Sequence, residues 1–129
     1  MKNLLECVEF CIFELENYYT RKNNYFTFNN TDYNINLANK LCLQKQPIKI
    51  PLSLLKQDLL DYPITYNKRY KISDISIPII IWEHNGIYII VDGRHRVQKS
   101  IDLKNKDIFG YIFSDIDMNK IKETNDKYW

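Results

Sequence analysis

Ile87-Tyr88-Ile89-Ile90-Val91-Asp92-Gly93-Arg94-His95-Arg96-Val97-Gln98-Lys99-Ser100 is the stretch on which the reading of this chain turns. An apolar, β-branched run ends at Asp92-Gly93 and gives way at once to a segment of helical character. A strand that stops at a glycine and enters a helix presents backbone N–H groups that lack intrahelical partners, and the helix dipole adds partial positive charge there. Arg94 and Arg96 carry forked donors suited to phosphate oxygens, and His95 can donate from a ring nitrogen. Gly93, Arg94, His95 and Arg96 are therefore candidate anion-binding residues. The same turn has a plainer reading, in which Asp92 caps the helix, Gly93 supplies a backbone angle and the arginines are solvated charge.

Working outward, Ile77 to Trp82 is a second apolar run, joined to Ile87–Val91 through Asn85-Gly86, a dipeptide whose residues both tolerate positive φ. The pair predicts a hairpin. Its runs are apolar at successive positions, so both faces should be covered and the strands should lie centrally in a sheet. Downstream come a helix to about Leu103, a strand at Ile108 to Phe113 and a final helix opened by Ser114-Asp115-Ile116-Asp117, whose Ser114 and Asp117 match a capping box. A helix between two strands is the crossover of a strand-helix-strand unit. The expected sheet is mixed, with the basic turn at the carboxyl end of a strand, where ligands of α/β sheets bind.

Upstream, Ile48 to Pro51 reads as a short strand leading into helical turns through Leu52-Ser53-Leu54-Leu55 to Leu59-Leu60, stopped by Pro63. Tyr66 to Lys71 reads as a basic-aromatic loop, and Ile72 to Ser76 as room for one more turn. Leu37 to Leu43 predicts a short helix, Tyr25 to Phe28 a strand and Asn29-Asn30 a turn. Met1 to Tyr19 has apolar residues at three- and four-residue steps, from Leu4 and Val8 to Ile12 and Leu15, which predicts an amphipathic helix packed on the rest. The fold class expected is α+β, a small mixed sheet flanked by helices. Residues 1–47 form a helical extension and residues 48–129 the main domain.

At 129 residues the chain has room for one core. A net charge of +2 lacks the global basic excess of a dedicated polyanion binder, yet Arg94 to Lys106 holds five Lys and Arg against Asp102 alone. An odd count of three cysteines and the lack of an apolar leader predict a reducing, cytoplasmic setting, and no run is long enough for a membrane span. Cys7, Cys11 and Cys42 with His84 and His95 make a poor zinc set, so no metal site is assigned to them.

The stretch Val91 to Ser100, with Ile79-Ile80-Ile81 before it and Ile108-Phe109-Gly110-Tyr111-Ile112 after it, resembles the ParB/sulfiredoxin superfamily, most closely its small single-domain members with an Asp-Gly-x-His-Arg turn. Ile50-Pro51-Leu52-Ser53-Leu54-Leu55 is similar to the family's entry strand and first helical turn. The likeness covers about residues 48–118. It implies that Gly93, His95 and Arg96 bind nucleotide phosphates. Arg94 stands where sulfiredoxin carries its reactive cysteine, and a guanidinium cannot act as a thiolate nucleophile, so sulfinic acid reduction is not expected. With 129 residues, the helix-turn-helix and dimerisation regions of partition proteins are not expected, and neither is a chromosome-partitioning clamp.

The resemblance leaves two classes of function open. One is a nucleotide-binding protein, an ATP- or CTP-dependent phosphotransferase or hydrolase using Mg²⁺, with Asp92 as the candidate catalytic carboxylate and Gly93, Arg94, His95 and Arg96 holding phosphates. The other is a nucleic-acid-binding module or nuclease, or a non-catalytic binding domain, that uses the same basic turn. Gln57, Asp58 and Asp61 fall where the resemblance implies that an upstream ligand-binding helix should end, and no catalytic glutamate stands near them.

Overall fold

The computed structural model describes residues 24–123, and the helix expected over Met1 to Tyr19 lies outside them. A four-stranded mixed sheet forms the centre, in the order β3-β6-β4-β5, with β3 spanning Ile48–Pro51, β4 Ile79–His84, β5 Ile87–Asp92 and β6 Asp107–Phe113. Strand β6 runs parallel to β4 and antiparallel to β3, while β4 and β5 form the antiparallel hairpin. The hairpin turn has φ of 52° at Asn85 and 76° at Gly86, the doubly left-handed geometry for which that dipeptide is suited. A smaller two-stranded hairpin, β1 (Tyr25–Phe28) and β2 (Thr31–Asn34), turns at Asn29 and Asn30.

The helices are α1 (Ile35–Cys42), α2 (Lys56–Asp61), α3 (Lys68–Ile72), α4 (Arg94–Asp102) and α5 (Asp115–Ile121), and a 3₁₀ turn over Leu52–Leu54 precedes α2. Side chains cap three of them. The Asn34 oxygen accepts from the Leu37 N–H and the Asn67 oxygen from the Arg69 N–H, while Ser114 and Asp117 form the expected reciprocal box at α5.

Successive apolar residues of the hairpin serve opposite faces of the sheet, as the period of a strand requires. Ile80, Trp82, Ile89 and Val91 join Tyr33, Ile35, Ala38, Phe113, Met118 and Ile121 in one core, beneath β1, β2, α1 and α5. Ile79, Ile81 and Ile90 join Ile50, Leu52, Leu55, Leu59, Val97 and Ile108 in the other, beneath α2 and α4. Residues 24–47 are part of the first core. They are tied to the end of the described chain by Lys45 Nζ on Asp117 at 2.8 Å, Asn34 Nδ2 on Glu123 at 2.8 Å and the Glu123 N–H on the Asp32 carbonyl at 2.8 Å.

Several expectations need correction. Coverage of both faces does not place β5 centrally: it is an edge strand, because coverage is supplied by helices above and below and not by neighbours on either side. Helix α4 joins β5 to β6, but those strands are two apart and antiparallel, so it is not a crossover within a parallel pair. The basic turn is thus at the carboxyl end of β5 and beside the amino end of β4, where Ile80 pairs with Asp92. Tyr66–Lys71 is not a loop throughout, since Asn67 caps α3 from Lys68 onward. Helix α1 begins two residues before Leu37 because Asn34 captures its first turn.

Candidate functional site

Gly93 stands between β5 and α4 with φ of +110°, and a Cβ there would come within 2.5 Å of Ile79 Cγ2. Only glycine fits both the angle and the space. It is the N-cap of α4, and no side chain caps that helix; its first turn contains no acidic residue. The turn Asp92 to Arg96 is half-buried throughout.

Arg94 is turned back on the sheet. Its Nη2 donates to Asp58 Oδ2 at 2.8 Å and reaches the Ile90 carbonyl at 3.4 Å, and its Nη1 reaches the carbonyls of Asp58 and Tyr62 at 3.3 and 3.4 Å. Its guanidinium carbon lies 5.3 Å from the centre of the Tyr62 ring. Asp58 is the residue that sequence reasoning did not assign. Its position three residues after Leu55 and beside Leu59, both buried on α2's inner side, is the signal that could have found it, since a carboxylate there must be paired.

Arg96 lies where the sequence placed it, beside Gly93: its Nη2 is 3.1 Å from the position a Gly93 Cβ would take. That nitrogen donates to Asp92 Oδ2 at 3.2 Å, and Nη1 donates to the carbonyls of Ile77 and Pro78 at 3.1 and 2.9 Å. His95 Nε2 is buried within the turn. Lys99, three residues on, donates to the carbonyls of Lys71 and Ser73 at 3.0 and 2.8 Å. The basic run from Arg94 to Lys106 is therefore not one solvated patch: three of its cations are held by groups of the chain itself, and only Lys104 and Lys106 stand exposed in the loop after α4.

The structure brings Asp92, Gly93 and Arg96 together and draws Arg94 away to Asp58. Asp92 is partly exposed, with one carboxylate oxygen on Arg96. Among the described residues no group of three or more His, Cys, Asp and Glu side chains could hold a metal ion. Asp92, the carboxylate at the turn, could supply a single ligand to a divalent cation. Cys42 is buried in the first core, where burial pushes its thiol up to about 11, so it is a packing residue and not a thiolate.

A second constellation lies at the opposite end of β4. Asp115 Oδ1 accepts from Trp82 Nε1 at 2.7 Å and contacts His84 Nδ1 at 2.8 Å, and Phe28 packs edge-on to both rings. The bonds from His84 and Trp82 hold the Asp115 carboxyl below its usual range. An open groove of about 590 Å³, lined by Lys45, Glu83, Asn85, Ser114, Asp115 and Ile116 among others, runs beside it.

No helix among the described residues is long and apolar enough to cross a membrane. Comparison of the chain with protein-family models, with curated proteins and with solved structures gives no match in any of the three.

Proposed function

We propose that this protein binds a phosphate-bearing small molecule, a nucleotide such as ATP or CTP with Mg²⁺, at the Asp92–Arg96 turn. One observation carries this reading: α4 opens on a left-handed glycine closed against Ile79, with no side-chain cap and no acid in its first turn, whereas α1, α3 and α5 are each capped by a side chain and α2, also without a side-chain cap, carries Asp58 in its first turn. The first turn of such a helix points its amides towards an incoming anion, and the dipole favours negative charge there. The resemblance of Asp92-Gly93-Arg94-His95-Arg96 to the ParB/sulfiredoxin turn supports the same ligand. Arg96 lends its cation from beside Gly93, Asp92 takes the metal that accompanies the phosphates, and Arg94 serves as a support by fixing α2 to the turn. Hydrolysis or phosphoryl transfer would place Asp92 nearest the reacting phosphate. The polymer-binding alternative draws less support, because a net charge of +2 lacks the basic excess that favours a long polyanion.

The test is a titration of ¹⁵N-labelled protein with ATP, CTP and inorganic phosphate, with and without Mg²⁺. Saturable shifts centred on the amides of Gly93 to Val97 are expected. If those amides do not move at millimolar ligand while the protein stays folded, the reading fails.

A further inference from the structure

Residues 62–78, which carry α3 and lead from α2 to β4, contain no buried residue. Ile64 packs against the second core, and Tyr62 and Tyr70 lie under Arg94 and Lys99 of α4, but the named bonds between this segment and α4 are polar. Asp102 Oδ2 accepts from Tyr70 Oη at 2.6 Å and from Tyr66 Oη at 3.4 Å. Lys99 Nζ donates to the carbonyls of Lys71 and Ser73, and Arg96 Nη1 to those of Ile77 and Pro78. Arg96 and Lys99, three residues apart, share one side of α4. The segment thus lies across that side and occupies Arg96 Nη1 and Lys99 Nζ with its own backbone oxygens, while Arg96 Nη2 stays on Asp92.

Such contacts exchange for water at small net cost, so a segment held by them opens more readily than strands held by apolar burial. Carbonyls are neutral acceptors. Phosphate oxygens make shorter and stronger charge-assisted bonds to the same guanidinium and ammonium groups. We infer that residues 62–78 form a strap that opens independently of the core and yields Arg96 and Lys99 to an anion arriving at the α4 turn. This rests on the phosphate-binding reading above and adds its regulation: strap release and anion binding favour one another, because the ligand prefers the state in which both cations are available.

Native-state amide hydrogen exchange tests it. The N–H groups of Lys71, Ser73 and Ile77, each bonded to a carbonyl within the strap, should exchange at least about tenfold faster than those of Ile81 and Val97. Tyr70→Phe deletes the shortest strap bond and should speed them by a further factor of about five, with Ile81 unchanged. Inorganic phosphate should accelerate the strap amides beyond sodium chloride of equal ionic strength, over the same concentrations that shift Gly93 to Val97. Strap amides that exchange no faster than Ile81 overturn the strap, whatever phosphate does. A strap that opens but ignores phosphate, while the turn amides shift, overturns the coupling and leaves phosphate binding standing. Phosphate that shifts neither region overturns the coupling together with the binding reading, and the rates in plain buffer still decide whether the strap opens alone.

Discussion

Asp58 and Arg94 meet at 2.8 Å and between them cover both backbone groups of Ile90 on the open side of β5: Asp58 Oδ2 accepts the Ile90 N–H at 2.8 Å, and Arg94 Nη2 reaches the Ile90 carbonyl at 3.4 Å. An ion pair here does the work of a missing neighbouring strand. Unpaired edge groups invite another chain to pair with them, and this sheet blunts both its edges. At the far side β3 is only four residues long and carries Lys49 and Pro51.

Breaking that pair should therefore cost more than a surface salt bridge. Asp58 is only 10% exposed in its side chain and Arg94 24%, so Arg94→Ala leaves a carboxylate poorly solvated and unpaired, at a cost of about 3 kcal/mol. Asp58→Ala should cost a similar amount, and the double variant should cost clearly less than the two added together. Urea denaturation of the three variants measures this. Strict additivity would show that the residues do not act as a pair.

Two glycines with positive φ separate angle from space. Gly86 has φ of +76° and nothing within 4 Å of an added Cβ, so Gly86→Ala should cost about 1 kcal/mol. Gly93→Ala must also displace Ile79, and a loss of about 3 kcal/mol or more is expected. Thermal unfolding of both proteins compares them, and equal losses would contradict the packing of Ile79 on the turn.

The Tyr70–Asp102 bond sets a pH window for the strap. Tyr70 donating to it holds the Asp102 carboxyl below its usual range, helped by Gln98, so this contribution is complete above the ordinary carboxyl value and is lost as pH falls through the lower one. The same bond, with some burial, pushes the Tyr70 hydroxyl up to about 12 from 10.0, so its contribution is complete below the ordinary value and lost as pH rises through the higher one. Strap protection should be greatest between about pH 5 and pH 9. An absorbance titration of tyrosinate should show late-titrating groups, since burial also raises Tyr33 and Tyr66, and the latest of them, Tyr70, should move back towards its ordinary range in Asp102→Asn. An unchanged titration in that variant would remove the bond from the account.

Ser114→Ala removes the hydroxyl that accepts the Asp117 N–H at 3.1 Å and opens the capping box of α5. A loss of about 1 kcal/mol in chemical denaturation is expected, with the α4 turn undisturbed. A spectrum in which Gly93 to Val97 also shift would show the two ends of β4 to be coupled.

Much of this molecule is written locally. Asn85-Gly86, Ser114 with Asp117 and Ile48–Pro51 fix their own conformations through backbone angle, capping and strand period and stand where the residues predicted them, while the first hairpin strand, expected over Ile77 to Trp82, runs from Ile79 to His84. Gly93 was legible for the same reason, since a left-handed residue between strand and helix is a local demand. What the chain could not announce is which residues meet across long separations. Asp58 finds Arg94 and Asp102 finds Tyr70 only after the sheet has set α2, α3 and α4 beside one another, and a charged side chain reads identically in sequence whether it faces water or a carbonyl. The sequence by itself determined an α+β fold with a basic turn at the end of a strand. Tertiary structure decided that the turn borders an edge strand and that Arg94 and Arg96 of the turn and Lys99 of the helix after it are already engaged, because strand order and side-chain pairing are set by contacts between residues far apart in the chain.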